Sequence, residues 1–331
     1  MPATNSQPRI ASLSLSTYLA VIRPALSSIG KKMVRAVVLY PAKPFLSGDR
    51  QVRLERWLRG REQCKKLEAA DAVIVSFGKS GRTWLRVLLS RFYQLEHGLP
   101  EWLIGFDNLH YLNRAVPKIF FTHDNYVKDY SGNFDNKADY YDSKVVLLVR
   151  HPADVAVSQY HQWRYRMRDN KKKINDYPDD EVSIADFVLN HSAGLEKTVD
   201  FMNGWARERE RLGAFMVVRY EDLKADTAGS LDAATRFIGT PGSKASIEGA
   251  VEYASFDNMR KLETQNTSVL TGGRMKAKDP TNPESFKTRR GKVGGFYEYF
   301  DDAENEAILD YVDRHLDPIF GYCRAPMAAS A

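Results

Sequence analysis

The chain predicts an α/β fold with a mostly parallel central sheet and helices on both faces, entered through a strand–loop–helix unit. Short β-branched runs recur along it, helical periodicity follows them, and the first run ends in a glycine-containing turn. Ala72–Phe77 (AVIVSF) is apolar throughout rather than alternating, as a strand buried on both faces must be. Thr83–Glu96 follows with Leu85, Leu88, Leu89 and Phe92 at helical spacing, so the stretch between is a strand-to-helix turn. Further strands are predicted at Lys118–Thr122, Lys144–Arg150 and Ala214–Tyr220. Helices are predicted after Pro152, around Ile184–Asn190, and over Leu195–Arg209, Leu231–Ile238 and Glu304–His315. This alternation places ligands at the carboxyl ends of the strands. A charged stretch, Arg50–Glu68, precedes the first strand, and Thr264–Lys287 is turn-rich and predicts a mobile loop or lid.

With 331 residues, 43% hydrophobic and 27% charged, the chain has enough apolar content for a full core, which excludes disorder as a whole. A mean hydropathy of −0.45 argues against an integral membrane protein. Two cysteines, Cys64 and Cys323, supply neither a disulfide framework nor a cysteine-rich zinc site, and fit a reducing, cytoplasmic compartment. The net charge of +6 is local. Residues 1–48 carry six basic residues and no acid, which leaves 42 basic against 42 acidic residues in the remainder. A nucleic-acid binder spreads its basic surface over the fold, so a nucleic-acid partner is not expected.

Residues 1–48 are therefore read as a basic N-terminal segment. No run reaches the roughly 18 apolar residues needed to span a bilayer. Over 22–38, a helical wheel sets Ile22, Leu26, Ile29, Met33 and Val37 against Ser28, Lys31, Lys32 and Arg35, the pattern of a basic amphipathic helix. Such a helix suits either peripheral contact with an anionic membrane or packing on the body. The Ser-rich, Arg-containing, acid-free start also has the composition of a transit peptide. These alternatives stay open.

Ser76–Leu85 (SFGKSGRTWL) carries the most chemical information. Gly78 and Gly81 allow a tight turn whose N–H groups face an anion, and the helix that begins there adds its positive dipole end. This is a phosphate cradle of the P-loop type without the standard GxxxxGK[ST] order, because Lys79 precedes Gly81. Val149–Tyr160 (VRHPADVAVSQY) leaves a strand through Arg150, a rigid bidentate donor, and sets Ser158 one helical turn beyond Asp154. Arg289–Phe300 (RRGKVGGFYEYF) brings two further cations beside Gly291.

These three segments resemble those of the sulfotransferases that use 3′-phosphoadenosine 5′-phosphosulfate (PAPS). GKSGRTW is similar to PKSGTTW at Lys79, Ser80, Gly81, Thr83 and Trp84. Val149–Tyr160 is similar to RxPxDVAVSxY, and Arg289–Phe300 to RKGxxGDWKNxF. Phe77-Gly78 replaces Tyr-Pro and Gly295-Phe296 replaces Asp-Trp. Arg82 replaces a threonine, either adding charge to the phosphate or pointing elsewhere. The resemblance runs from about Ala72 to His315 and implies a sulfotransferase domain over residues 49–331. It implies that Lys79, Ser80, Gly81, Arg82, Thr83 and Trp84 hold the 5′ end of the donor, and that Arg150, Ser158, Arg289, Arg290 and Gly291 hold its 3′-phosphate. Tyr220 and Phe256, with Trp84, fall where the family presents aromatics to the adenine. His123, in FFTHDN, stands at the place of the family's base. Asp301–Glu306 lacks the Thr-Val dimer contact of many cytosolic members, so the oligomeric state stays open.

The implied reaction moves a sulfuryl group from PAPS to a hydroxyl or amine of an acceptor, with Lys79 stabilising the leaving phosphate and His123 taking the acceptor proton. No metal is required, and the histidines show no ligand spacing. The acceptor is read as a glycan, a glycolipid or a small alcohol. An aromatic-lined pocket is expected from Trp102, Phe106, Tyr111, Phe120, Tyr160, Trp163 and Tyr165. Two rival readings are a nucleotide-dependent kinase, against which the lysine order speaks, and a noncatalytic nucleotide-binding protein of the membrane surface, which leaves His123 without a task.

Overall fold

In the computed structural model, residues 30–324 are described except 31, 32, 34, 36, 40, 42, 102–108, 265–278 and 280. Most of the predicted helix over 22–38, most of the predicted lid, and Trp102 and Phe106 lie outside the described residues. The principal elements are α1 (Gly48–Glu68), β1 (Ala72–Ser76), α2 (Arg82–Glu96), β2 (Ile119–Thr122), α3 (Val127–Ser131), β3 (Lys144–Val149), α4 (Pro152–Arg166), α5 (Asp169–Ile174), α6 (Leu195–Glu208) and β4 (Ala214–Arg219). They continue with α7 (Tyr220–Ala225), α8 (Thr227–Ile238), α9 (Lys244–Tyr253), α10 (Phe256–Thr264) and α11 (Asp302–His315).

The sheet is parallel throughout, in the order β2-β1-β3-β4. Val73 stands level with Phe120 on one side and Val145 on the other. All five residues of β1 are buried, which explains its unbroken apolar run. Alternate side chains enter two cores. Val73, Val75, Val145 and Leu147 pack with Ala153, Ala156, Met202, Trp205 and Val312 of α4, α6 and α11. Ala72, Ile74, Val146 and Leu148 pack with Leu85, Leu88, Phe92, Leu231 and Ile247 of α2, α8 and α9. Because the chain leaves β1 for β2 and then crosses back to β3, the carboxyl end of β1 is a topological switch point where a crevice opens.

The stretch expected only to be charged, Arg50–Glu68, lies within α1. Its sides are polar all round, with only Leu58, Gly60 and Leu67 buried, so no apolar stripe announces it. Gly60 and Arg56 hold it instead. A Cβ on Gly60 would lie 2.2 Å from the Tyr126 carbonyl oxygen, so only glycine permits this approach of α1 to α3. Arg56 pairs with Asp129 at 2.8 Å and donates to the carbonyl oxygens of Asn125 and Ile174, both at 2.9 Å. The acidic run after Phe300 starts α11 through a capping box between Asp301 and Glu304.

Candidate functional site

A cleft of about 1860 Å³ opens at the carboxyl ends of the strands. The turn from β1 to α2 forms its floor. Lys79 and Gly81 both take left-handed backbone conformations, with φ of 73° and 97°. A Cβ on Gly81 would lie 2.6 Å from Tyr220 Cδ2, so the loop and α7 fit closely only because that position is glycine. The first amides of α2 have no intrahelical acceptor and give the turn its anion-binding character. Burial, followed by the charges of Arg166 and Lys287, lowers the Lys79 ammonium from 10.5 to about 7.

The second and third motifs meet beside this floor. Arg150 leaves β3, pairs with Asp154 at 3.1 Å and donates to the Lys292 carbonyl oxygen at 2.8 Å. Its guanidinium lies 4.6 Å from the centre of the Tyr220 ring, and its Nε is buried without a partner. Asp154, buried at the start of α4, accepts from the amides of Gly294 and Phe296, both at 3.0 Å. One carboxylate thus ties two segments 140 residues apart. Arg289 pairs with Glu284 at 3.2 Å and Arg290 with Glu298 at 2.5 Å. Glu263 of α10 accepts from the amides of Lys287 at 2.6 Å and Thr288 at 2.8 Å, anchoring the approach to both arginines.

The aromatic set converges on the same wall. Trp84 donates through Nε1 to the Ala254 carbonyl oxygen at 2.9 Å and packs edge-on to Tyr220 at 5.8 Å. Phe256 covers Gly291, where a Cβ would come within 2.9 Å of its ring and φ is +58°. Lys79, Gly81, Arg82, Thr83, Trp84, Arg150, Ser158, Tyr220, Phe256, Arg289, Arg290 and Gly291 all line the cleft. Ser80 is among the expected residues but does not line it, and its side chain is buried.

His123 lies just beyond β2 on the opposite side of the loop. Its Nδ1 donates to the Ser76 carbonyl oxygen at 2.7 Å, which leaves Nε2 as the acceptor, and Arg82 Nη2 contacts that Nε2. Burial, then the Arg82 charge, holds the imidazole well below its usual 6.5. Of the two directions open to Arg82, the structure takes the one toward the histidine.

A model of the sulfotransferase domain matches residues 69–319. The chain belongs to the sulfotransferase family. It is 24% identical to rat sulfotransferase 2A6 over 74% of this chain and 84% of that protein. Human sulfotransferase 2B1 is 24% identical over 86% and 75% respectively. Mouse sulfotransferase SULT7A1, solved with PAP, superposes with a TM-score of 0.50 at 23% identity, covering 75% of this chain and 85% of that one. Retinol dehydratase, solved with retinol and PAP, gives 0.50 at 18% identity, over 77% and 83%. These two structures share the fold.

The described members of the expected aromatic set, Tyr165 included, do not line the cleft of this sulfotransferase, and other aromatics do. Phe120 and Trp163 are buried in the core and Tyr160 packs against it, while Tyr111 is exposed away from the cleft. Aromatic side chains at strand and helix spacing were drawn inward by their apolar area. Phe121, Tyr126, Phe134, Tyr177 and Phe201, none of them in the expected set, line the cleft, and the Arg86 guanidinium lies 4.1 Å from the Phe121 ring centre. The wall around them is built by α1, the segment after β2, residues 166–177 and α6. Its Arg56, Arg59, Arg168 and Lys171 were not singled out from the sequence. The cation-dense run RYRMRDNKKK at 164–173 is the signal that marked part of it. Among the described residues no group of three His, Cys, Asp or Glu side chains is placed to hold a metal ion.

Proposed function

We propose that this sulfotransferase moves the sulfuryl group of PAPS to a hydroxyl group of its acceptor, with His123 as general base. What supports the reading is the convergence of three motifs, far apart in sequence, on one cleft around the Gly81–Tyr220 contact. Lys79 and the amides at the start of α2 are assigned to the 5′-phosphosulfate, with Thr83 as a hydroxyl donor. Lys79 then stabilises charge growing on the leaving phosphate. Arg150, with its orphaned Nε, is assigned to the 3′-phosphate together with Ser158, Arg289 and Arg290. The two last arginines exchange a glutamate for the dianion, a stronger charge-assisted partner. Trp84, Tyr220 and Phe256 face the adenine.

His123 suits its role because the Ser76 carbonyl selects the tautomer with a free lone pair on Nε2. Arg82 holds that lone pair until an acceptor hydroxyl replaces it. Transfer of labelled sulfate from PAPS to a panel of alcohols and amines tests the assignment. His123→Ala should lower turnover by about 10²–10⁴ while PAP binding persists, the range expected for a general base. Equal turnover by this variant refutes the base, and ATP-dependent transfer refutes the donor.

We assign residues 1–48 to a separate basic segment that contacts anionic membranes from the cytoplasmic side, with 49–331 as the catalytic domain. In support, Met33 and Val37 of its apolar face are exposed. Equal flotation of intact and Gly48-truncated chains with anionic liposomes refutes it.

A further inference from the structure

The charge of the cleft exceeds what the donor needs. Its lining comprises twenty lysine and arginine residues against five aspartates among the described residues. PAPS brings about four negative charges, and it meets them at the end marked by Lys79, Arg150, Arg289 and Arg290. The excess lies at the other end, around His123. There α1 contributes Arg53, Arg56 and Arg59, and the α4–α5 connection and α5 contribute Arg168, Lys171 and Lys173.

Five of these cations fall into two groups. Arg56 is engaged by Asp129 and two carbonyl oxygens, and Arg59 by Glu55 at 2.5 Å, so both hold α1 in place. Arg168, Lys171 and Lys173 have no carboxylate within ion-pair distance among the described residues, although they share one short segment. Lys171 lies close enough to Arg59, Arg82 and Arg168 that their charges, after burial, depress its ammonium, and its own charge acts on His123. Gathering like charges in a concave site is unfavourable in the empty protein and becomes favourable when a ligand supplies the counter-charge.

We propose that the acceptor is an anionic alcohol. Its hydroxyl meets His123 Nε2, and a phosphate, sulfate or carboxylate elsewhere on the same molecule is held by Arg168 and Lys171. This rests on the sulfotransferase reading above and narrows it. A steroid-like or simple phenolic acceptor leaves these cations unmatched, whereas a phosphorylated or acidic sugar, soluble or carried on a lipid, matches them.

The test uses the full chain, labelled PAPS and matched acceptor pairs: a hydroxyaryl carboxylate and its methyl ester, a hexose phosphate and its hexose, and an acidic glycolipid in vesicles beside its neutral counterpart. The charged member of at least one pair should have kcat/KM about 100-fold higher, mainly through KM, and the advantage should shrink with salt. The pair that responds tells soluble from lipid-borne acceptors. Arg168→Ala and Lys171→Ala should each reduce the charged-to-neutral ratio about tenfold, the loss of one charge-assisted contact. Where no pair turns over, the same ratio is required of Kd values for PAP-saturated protein. Neutral members that equal or surpass their charged counterparts in every pair overturn the proposal, as does a ratio unchanged in the double variant. Failure of the wild-type chain to bind PAP sinks the donor reading, whereas PAP binding with a neutral preference sinks this proposal alone.

Discussion

Binding of PAP should take up a proton at Lys79. In the ligand-free chain the Lys79 ammonium is lowered to about 7, so at pH 8 only about one-tenth of it is charged. A bisphosphate seated on the loop supplies a counter-charge that offsets the burial and the Arg166 and Lys287 repulsion and returns the group toward 10.5. Binding then takes up about 0.9 proton per PAP at pH 8 and about half a proton at pH 7. The affinity should fall about tenfold per pH unit between about 7 and 9 and level off below about 7. His123 is held well below 6.5 and His161 is lowered to about 3 by burial and by Arg289, Lys79 and Arg290, so neither titrates in this window. The second ionisation of the ligand's 3′-phosphate, near 6, also lies below it. Calorimetric titration in two buffers of different ionisation enthalpy counts the protons directly. In Lys79→Met the uptake and the pH slope should both disappear. An affinity flat from pH 7 to 9, with proton uptake under about 0.2 at pH 8, refutes the reasoning.

Further outcomes follow from individual contacts. Because the Lys79 pKa is lower folded than unfolded, the ligand-free chain should gain stability as pH rises from 7 toward 10.5, and Lys79→Met should flatten that gain in thermal melts. Arg82→Thr removes the charge beside His123 Nε2, so the imidazole pKa rises and the acid limb of the kcat/KM profile moves to higher pH; an unmoved limb refutes the coupling. Gly81→Ala places a Cβ 2.6 Å from Tyr220 at a φ of +97°, and should weaken PAP binding about 10- to 100-fold, corresponding to strain of about 1–3 kcal/mol, measured by titration. Asp154→Ala strips two amides and Arg150 of a buried partner, and should cost about 3 kcal/mol of stability by denaturant unfolding, with Asp154→Asn in between.

The sheet was legible because each strand announces itself locally. AVIVS and KVVLLV have no polar face, and only a doubly covered strand suits such a run. The loop was legible for a similar reason, since Gly81 answers a backbone requirement at its own position. By contrast, α1 escaped notice because it is held by a polar hub at Arg56 and a close approach at Gly60 rather than by an apolar stripe. Asp154 and Glu263 look like ordinary acids in the sequence, and become anchors only through amides contributed by distant segments.

Residue order alone therefore determined the strands and the three motifs, whose signals depend on backbone demands and periodicities within a few residues. Tertiary structure decided which way Arg82 points, lined the cleft with aromatics other than the described members of the expected set, and set the cations of α1 beside those of α5. Those outcomes depend on which surfaces meet across separations of 41 to more than 100 residues, and packing and desolvation act only once the chain has folded.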